Sequence, residues 1–285
     1  QPSVREMGKR AFWREAGDDI EKGKSADAVV KRLNKHYKTP CARRTYISRV
    51  RNSLSQKRQS EAKKLRSAKE DIVACKSHQR KASQDKLKKA VRFDNVALLD
   101  FATETLRDAE NADIGALALA LLTVTGRRTS EIMSSAKFAA VPKKARQAEF
   151  TGQMKKRGNA PSKYRVPLLC EQQLVEEALG WLRKKQPKDI TKWSPSRVSR
   201  RYQSSLRAYS KTHSPFDSLR KVHDLRGCYA VMAHHLYDMG DAAELYAVSR
   251  ILGQSDANQA LVYSAYKMTQ PKKFKKGSFG KFRID

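Results

Sequence analysis

The amino-acid sequence predicts a mainly α-helical protein with one small β-hairpin, divided into a basic N-terminal helical domain and a larger C-terminal domain. Apolar residues recur at helical spacing along most of the chain, whereas 147–156 and 163–169 have the pattern of two short strands. Residues 1–90 carry a net charge of +16, and the other 195 residues carry +15. We therefore place a domain boundary near residue 90, with the polar stretch 76–89 as a linker.

The N-terminal domain is predicted to contain basic helices. Residues 26–37 have apolar side chains at helical spacing, and Pro40 follows the end of this helix. In the next predicted helix, 45–54, one apolar stripe runs beside Arg49 and Arg51. A helix of this kind can pack on its own domain and still face a phosphate backbone.

The C-terminal domain, residues 91–270, is predicted to be helical around the hairpin. Its predicted helices cover 93–111, 114–124, 174–185, 198–209, 225–239 and 242–252, followed by a last helix that carries Tyr263. The nearly uninterrupted apolar run 114–124 is typical of a buried helix. Gly158-Asn-Ala-Pro161 supplies the hairpin turn, and Gly253 is a candidate helix end. The residues 271–285 form a basic, irregular tail.

The charge of the chain indicates a polyanionic partner. Sixty Lys and Arg residues stand against 29 Asp and Glu, a net charge of +31. Such a chain repels itself unless it meets a polyanion, and nucleic acid is the obvious candidate. Charge alone leaves open a ribosomal or chromatin-like protein that only neutralises phosphate.

Other features of the composition limit the setting of the protein. The four cysteines have no paired spacing, which argues against a zinc site or a disulfide framework and favours a reducing compartment. No apolar run approaches the roughly 20 residues that span a bilayer, and no secretory signal opens the chain. Because the chain starts at Gln1, we expect it to be a fragment of a longer protein.

Two arginines, a histidine and a tyrosine, widely separated in sequence, suggest a site that breaks a phosphodiester without a metal. They are Arg128 after Thr125-Gly-Arg, His223 with Arg226, and Tyr263. The planar guanidinium matches two phosphate oxygens, and the tyrosine oxygen can attack the phosphorus. Neither a glycine-rich phosphate loop nor a metal-ligand cluster is evident in the sequence, so we expect no cofactor.

These motifs resemble the tyrosine recombinase/integrase superfamily, and within it the telomere resolvases (protelomerases). The motifs are Gly-Arg-Arg128-x-x-Glu131, Phe150-Thr-Gly-Gln-x-Lys155, His223-x-x-Arg226, Leu-Gly-Gln254 followed by Tyr263, and the N-terminal Arg44-Thr-Tyr-Ile-Ser-Arg-Val-Arg51. The resemblance covers most of residues 26–270 and is strongest between Arg128 and Tyr263. It implies a tyrosine-recombinase-like catalytic domain behind a helical N-terminal DNA-binding domain.

The resemblance also implies a role for each residue of the candidate site. Tyr263 would form a 3′-phosphotyrosyl bond, and Arg128 and Arg226 would clamp the phosphate. Lys155 would donate a proton to the leaving 5′-oxygen. His223 would act as a base or as a donor to the phosphate.

One position departs from the family pattern. Gln254 stands where the family usually has His, or Trp in some relatives; glutamine can hydrogen-bond a phosphate oxygen but cannot carry a charge or transfer a proton. Lys156 remains an alternative to Lys155, and Tyr266 is the nearest rival of Tyr263. Arg127 is either structural or a DNA contact.

The implied partner is double-stranded DNA with an inverted-repeat target, bound by a homodimer inside a bacterium or a phage-infected bacterial host. The candidate DNA contacts outside the catalytic set are Arg44, Arg49, Arg51, Arg127, Lys156 and Arg157. Three functions stay open: a telomere resolvase that forms hairpin DNA ends, a recombinase or integrase that exchanges strands between duplexes, and a non-catalytic DNA-binding relative. Gln254 is the best argument for the third function.

Overall fold

The computed structural model describes residues 4–88, 90–154, 162–254 and 257–284, and it confirms a mainly helical chain with small sheets. The chain divides into two compact units, Gln1–Asp85 and Lys86–Asp285. Each unit has its own cluster of buried apolar residues. The two units are described in turn.

The first unit is built from helices α1 to α4 and most of α5, whose last turn crosses the boundary at Asp85. They are α1 Val4–Glu21, α2 Ala26–His36, α3 Pro40–Ser53, α4 Gln59–Lys64 and α5 Lys69–Lys88. Ser25 and Thr39 cap α2 and α3, because their hydroxyls accept hydrogen bonds from the amides of Ala28 and Ala42. The predicted apolar stripes form the core of this unit, including Leu33 of α2.

The stretch predicted to be a linker, 76–89, is instead part of a helix as far as Lys88. This helix was not predicted, because the segment has too few apolar residues to show a helical period. At the N-terminal end of this helix, Asp71 accepts a 2.8 Å hydrogen bond from Nε of Arg43 in α3. The arginine holds the pKa of the Asp71 carboxyl below its usual value, mainly through this contact, although burial opposes the shift.

The second unit surrounds one buried helix. Its helices are α6 Asn95–Arg107, α7 Ile114–Thr125, α8 Gln172–Lys184, α9 Pro195–Thr212, α10 Leu225–Leu236 and α11 Glu244–Ile251. The predicted apolar run becomes α7, whose residues 116–125 are all buried and which contacts α6, α8, α9 and α10. Burial on all sides explains why this helix has no polar face.

Two small sheets complete the second unit. Strands β1 Val91–Phe93, β2 Lys137–Val141, β3 Lys144–Thr151, β4 Lys163–Pro167 and β5 Tyr266–Met268 form them. The predicted hairpin corresponds to the antiparallel pair β3 and β4, joined by β2 in the order β2-β3-β4. The parallel pair of β1 and β5 lies outside that prediction. The predicted hairpin turn, 158–161, lies outside the described residues.

The segment predicted as a separate basic tail packs on the second unit. Phe282 is 4% exposed in its core, and the amide of Phe279 donates to the carbonyl of Leu236 at the end of α10. Lys281 forms a parallel bridge with Asp238. Aromatic residues spaced among lysines therefore anchor this segment, while the lysines face solvent.

A tight turn at the end of α7 positions the arginine motif. Gly126 follows α7 with a φ of +63°, and a Cβ at this position would lie 2.0 Å from Cδ1 of Tyr229. Tyr229 cannot withdraw easily, because its ring is buried and its hydroxyl donates a 2.6 Å hydrogen bond to the carbonyl of Pro167. Only glycine fits this turn.

We expect Gly126→Ala to lower the free energy of unfolding by about 2–4 kcal/mol, the sum of left-handed backbone strain and overpacking against Tyr229. Gly180→Ala is the matched control, because Gly180 lies within α8 and a Cβ there would have no neighbouring atom within 4 Å. This control should raise the free energy of unfolding by about 0.5–1 kcal/mol. Chemical denaturation measures both, and equal effects of the two substitutions would contradict the prediction.

Candidate active site

A buried arginine contacts the predicted nucleophile. Arg226 lies in the first turn of α10 and is 2% exposed, and its Nε donates a 3.3 Å hydrogen bond to the hydroxyl oxygen of Tyr263. Tyr263 is the last residue of the 3₁₀ helix Ala257–Tyr263. Its ring is buried, yet its hydroxyl lies among polar groups. The distant sequence motifs of these two residues therefore meet at one point.

Two backbone carbonyls orient the Arg226 guanidinium. Nη1 donates to the carbonyl oxygen of Gly126, and Nη2 donates to that of Leu252 at 2.7 Å. An arginine side chain has five N–H donors. The described contacts use three of them, which leaves two for a bound phosphate.

Arg128 is held next to this point by a buried carboxylate. Nη1 of Arg128 lies 2.8 Å from Oε1 of Glu131, and the Arg128 amide donates to Oε2 at 2.9 Å. Burial alone would raise the pKa of Glu131, but the charges of Arg226 and Arg128 hold it below its usual value. Glu131 is 1% exposed and the Arg128 side chain 21%, so a buried carboxylate holds a partly exposed guanidinium.

A buried aspartate orders the turn that carries His223. Asp224 is fully buried, and its Oδ2 accepts hydrogen bonds from the amides of Arg220 at 3.1 Å and Lys221 at 3.2 Å. The His223 side chain reaches solvent from this turn. The surrounding protein, followed by the charge of Arg226, nevertheless lowers the pKa of His223 below its usual value. The imidazole is therefore neutral at pH 7.

Tyr266, the rival of Tyr263, is committed to another contact. Its hydroxyl donates a 2.7 Å hydrogen bond to Oδ1 of Asp224, and its ring lies where a Cβ on Gly227 would come within 2.4 Å of it. Burial and the bond to Asp224 raise the pKa of Tyr266. Of the two tyrosines, Tyr263 has the hydroxyl that faces the arginine site.

Gln254 lies beside the nucleophile. Its Nε2 is 3.5 Å from the Tyr263 hydroxyl, and its backbone amide donates to the carbonyl of Ser249 at 2.8 Å. Its Oε1 is buried and has no hydrogen-bond partner among the described residues. An unpaired buried acceptor is costly, so this oxygen lacks a hydrogen bond that the described residues do not supply.

Arg127, an alternative DNA contact, lies inside the second unit. Its side chain is 1% exposed, and its donors bind the Thr125 carbonyl at 2.9 Å, the Tyr164 hydroxyl at 2.5 Å and the Ile251 carbonyl at 2.6 Å. Its guanidinium also lies 5.0 Å from the centre of the Phe150 ring. These described contacts all lie within the protein, and they favour a structural role for Arg127 over a DNA contact.

The predicted lysine and its neighbours, Lys155, Lys156 and Arg157, lie outside the described residues. The strand that leads to them does end at the site. After β3, Gly152 adopts a φ of +96°, where a Cβ would lie 2.0 Å from the carbonyl oxygen of Ser135. The amide of Met154 then donates to Oε1 of Glu131 at 3.4 Å. The residue before Lys155 therefore contacts the carboxylate that holds Arg128.

The other predicted DNA contacts belong to α3 in the first unit. Arg49 is exposed, and its guanidinium lies 4.9 Å from the centre of the Tyr46 ring. Arg44 is half-buried, and Nη2 of Arg51 donates to the carbonyl of Leu65. Arg49 and Arg44 are thus accessible to different degrees, while Arg51 is partly used within its own unit.

Some residues of the site were not predicted from the sequence. Asp224 lies inside the motif His223-x-x-Arg226, so an acidic residue between two cationic ones was an available signal. Gln153 and Tyr164 gave no such signal, because their contacts with Gly253 and Arg127 join segments that are far apart in the sequence. In the part of the chain that the structure describes, no group of three or more His, Cys, Asp or Glu residues could hold a metal ion. No helix among these residues is long and apolar enough to cross a membrane.

Sequence comparison gives two matches. A family model described as the telomere resolvase ResT/TelK catalytic domain matches residues 89–266. The protelomerase of Escherichia phage N15 is 29% identical over 206 residues, which cover 61% of this chain and 32% of that protein. The chain therefore spans about a third of the length of the curated relative that it matches.

Structural comparison gives solved protelomerases. A variant of protelomerase TelA covalently complexed with substrate DNA has a TM-score of 0.67 and 19% identity, with 96% of this chain and 86% of that chain covered. Another TelA variant, complexed with a DNA hairpin product, has the same TM-score and identity over 96% and 85% of the two chains. Protelomerase TelK complexed with substrate DNA has a TM-score of 0.59 and 19% identity over 93% and 59%. These similarities show a shared fold.

The environment of His223 leads to a prediction about its protonation. We expect NMR titration of labelled histidine to give a pKa below the ordinary 6.5 for His223, because desolvation and nearby positive charge oppose protonation. Lys221→Gln should raise this pKa, since Lys221 is one of the charges responsible and is itself exposed. A pKa at or above 6.5, or no response to Lys221→Gln, would contradict the prediction.

Proposed function

Since the chain belongs to the family of the telomere resolvase ResT/TelK catalytic domain, we propose that it breaks and rejoins DNA to form covalently closed hairpin ends. The observation that carries the proposal is the hydroxyl of Tyr263, held 3.3 Å from Nε of Arg226 and 3.5 Å from Nε2 of Gln254. Arg128 is partly exposed nearby, and its charge acts with that of Arg226 on Glu131 and His223. A nucleophile and phosphate-binding groups are thus assembled before DNA arrives.

The first chemical step is an in-line displacement at phosphorus. The Tyr263 oxygen forms a bond to the phosphorus, and the bond from phosphorus to the 5′-oxygen breaks, which leaves a 3′-phosphotyrosyl ester and a 5′-hydroxyl. Negative charge grows on the non-bridging oxygens in the transition state, where Arg128 and the two unused donors of Arg226 stabilise it. Attack by a 5′-hydroxyl of the other strand reverses the step, and no external energy source is needed because the ester conserves the bond energy.

Two proton transfers accompany the displacement. His223, neutral at pH 7, accepts the proton of the Tyr263 hydroxyl or, once protonated, donates to the phosphate. The family resemblance assigns protonation of the leaving 5′-oxygen to Lys155. The contact of the preceding Met154 amide with Glu131 supports this role, because it brings the chain to the arginine site.

Gln254 binds in this scheme and does not transfer a proton. A half-turn of its amide lets Oε1 accept the Tyr263 proton as a hydrogen bond, while Nε2 is left to donate to a phosphate oxygen. That orientation satisfies the buried oxygen that is unpaired among the described residues. Glutamine at this position is therefore compatible with catalysis, because His223 and Lys155 make the proton transfers.

Hairpin formation is favoured over strand exchange by the relatives. A TelA variant is known in complex with a DNA hairpin product, and the phage N15 relative is a protelomerase. We further propose that a homodimer binds an inverted repeat, because two-fold symmetry of the protein then matches that of the DNA. The setting that fits is the cytoplasm of a bacterium or of a phage-infected bacterial host.

The first unit would add non-specific DNA affinity. It carries the larger share of positive charge per residue, and Arg49 of α3 is exposed. Phosphate contacts position a protein on DNA and supply much of its affinity. We propose DNA contact by Arg49 and Arg44, with a smaller part for Arg51.

The function can be tested without knowing the target. The 285-residue chain is incubated with a pool of duplexes that contain randomised inverted repeats, and protein–DNA adducts that survive detergent are isolated and sequenced. The selected duplex is then treated and run on a denaturing gel. Hairpin ends give strands of doubled length that snap back, strand exchange gives recombinant lengths, and a non-catalytic binder gives neither adduct nor new bands. Only the first result supports the proposal.

We expect Tyr263→Phe to abolish the covalent adduct while DNA affinity changes by less than about threefold, because only the attacking oxygen is lost. Tyr266→Phe is the matched control: it removes a nearby tyrosine hydroxyl that is bonded to Asp224, and it should still form the adduct. Adducts are measured by denaturing gel and affinity by fluorescence anisotropy. Adduct formation by the Tyr263 variant would identify a different nucleophile.

We expect Arg49→Ala to weaken DNA binding and to reduce the slope of log affinity against log salt by about 1, as the loss of one phosphate contact does. Arg51→Ala should change this slope less, because its guanidinium already bonds the Leu65 carbonyl. Binding isotherms at several salt concentrations measure the slopes. An unchanged slope for Arg49→Ala would remove this residue from the DNA interface.

A further inference from the structure

Three successive backbone carbonyls at the C-terminal end of α11 are held by three distant side chains. Arg127 donates to the carbonyl of Ile251 at 2.6 Å, and Arg226 donates to that of Leu252 at 2.7 Å. Gln153, beyond the end of β3, donates to the carbonyl of Gly253 at 2.9 Å. The next residue along the chain is Gln254.

These contacts satisfy a general need of helix ends. The last carbonyls of a helix lack intrahelical partners and carry partial negative charge. Guanidinium groups are suited to this position because their donors form a rigid, charged fork. The end of α11 is therefore fixed both to the turn after α7, which bears Arg127, and to α10, which bears Arg226.

Arg127 is itself rigidly held. Its Nε and Nη1 donate to the Thr125 carbonyl and the Tyr164 hydroxyl, and its guanidinium carbon lies 5.0 Å from the centre of the Phe150 ring. The packing beyond it is close, since a Cβ on Gly253 would lie 2.2 Å from the Tyr164 hydroxyl oxygen. The fork that holds Ile251 cannot turn without disturbing its other contacts.

We propose that Arg127 is a positioning residue for the cleavage reaction: it fixes the end of α11 so that Gln254 and Tyr263 stand correctly against Arg226. Arg127 touches neither DNA nor the reacting atoms and acts through the carbonyl of Ile251. The consequence for the reaction rests on the proposed function, whereas the fixing of the helix end does not.

Arg127→Lys tests the proposal because it keeps the positive charge but removes the planar guanidinium and its set of directed hydrogen-bond donors. We expect the single-turnover rate constant for adduct formation to fall by about 10–100-fold, as small displacements of reacting groups do. DNA affinity should stay within about threefold, and its salt slope should not change. Lower affinity with a reduced slope would instead make Arg127 a DNA contact and overturn the proposal.

Arg183→Lys is the matched control for loss of stability. Arg183 is a partly buried arginine of the second unit, with Nη1 bonded to Gln186 Oε1 at 3.0 Å and no described contact to the site. General destabilisation lowers the amplitude of the reaction, which reports the folded fraction, for both variants. A fall in the rate constant of the Arg127 variant alone supports positioning, and a fall in amplitude alone rejects it.

A milder variant keeps the proposal testable if Arg127→Lys does not fold. Tyr164→Phe removes one partner of the Arg127 fork and should lower the rate constant by about 3–10-fold, in line with one lost hydrogen bond. If Arg127→Lys folds, adding Tyr164→Phe to it should lower the rate constant much less than Tyr164→Phe does in the wild-type chain, because both substitutions act through the same contact. An unchanged rate constant for Tyr164→Phe in a folded protein overturns the proposal.

Hydrogen exchange separates failure of this proposal from failure of the proposed function. In either variant, amide exchange should become faster in peptides that cover the end of α11 and stay unchanged in peptides from α2 and α3. If the wild-type chain forms no adduct, the proposed function fails, and the exchange result still decides whether Arg127 fixes the helix end. If the wild-type chain reacts and the end of α11 exchanges as before in both variants, the positioning role is rejected.

Discussion

The buried guanidinium of Arg226 is the contact on which the rest of the site depends. It links the carbonyl of Gly126, the carbonyl of Leu252 and the hydroxyl of Tyr263, which belong to three separate segments of the chain. Burying a cation is expensive unless its donors are satisfied. Here two backbone carbonyls and the Tyr263 hydroxyl accept hydrogen bonds from the Arg226 donors. If one of these segments moved away, a buried donor of Arg226 would be left unpaired, so the guanidinium fixes the segments relative to one another.

The charged groups around Arg226 have a net positive charge. Arg127, Arg128 and Arg226 face two buried carboxylates, those of Glu131 and Asp224. Glu131 remains ionised because the arginines lower its pKa against the effect of burial. Asp224 is occupied by the turn that carries His223 and by Tyr266. In the proposed reaction, this positive charge attracts a phosphate and stabilises most the additional charge of the transition state.

The sequence predicted which chemical groups lie together better than it predicted the secondary structure that holds them. The long apolar run became α7, because this signal is local and strong. The family resemblance implied that Tyr263 and Arg226 act together, and their side chains are in contact. Arg127 and Arg128 could not be distinguished by residue type. After the left-handed turn at Gly126, Arg127 is buried in the core and Arg128 is partly exposed. The helix over 76–88 and the strands β1, β2 and β5 were missed because they lack a clear apolar period.

The end of α11 explains why glutamine can occupy position 254 in such a site. A histidine there could supply charge as well as a hydrogen bond, whereas glutamine supplies only the bond. The carbonyls just before it already attract two guanidinium groups, so positive charge reaches this corner from Arg127 and Arg226 instead of from residue 254. The demand on Gln254 is then geometric: its amide must lie within reach of the Tyr263 hydroxyl. The same contacts that fix the helix end meet that demand.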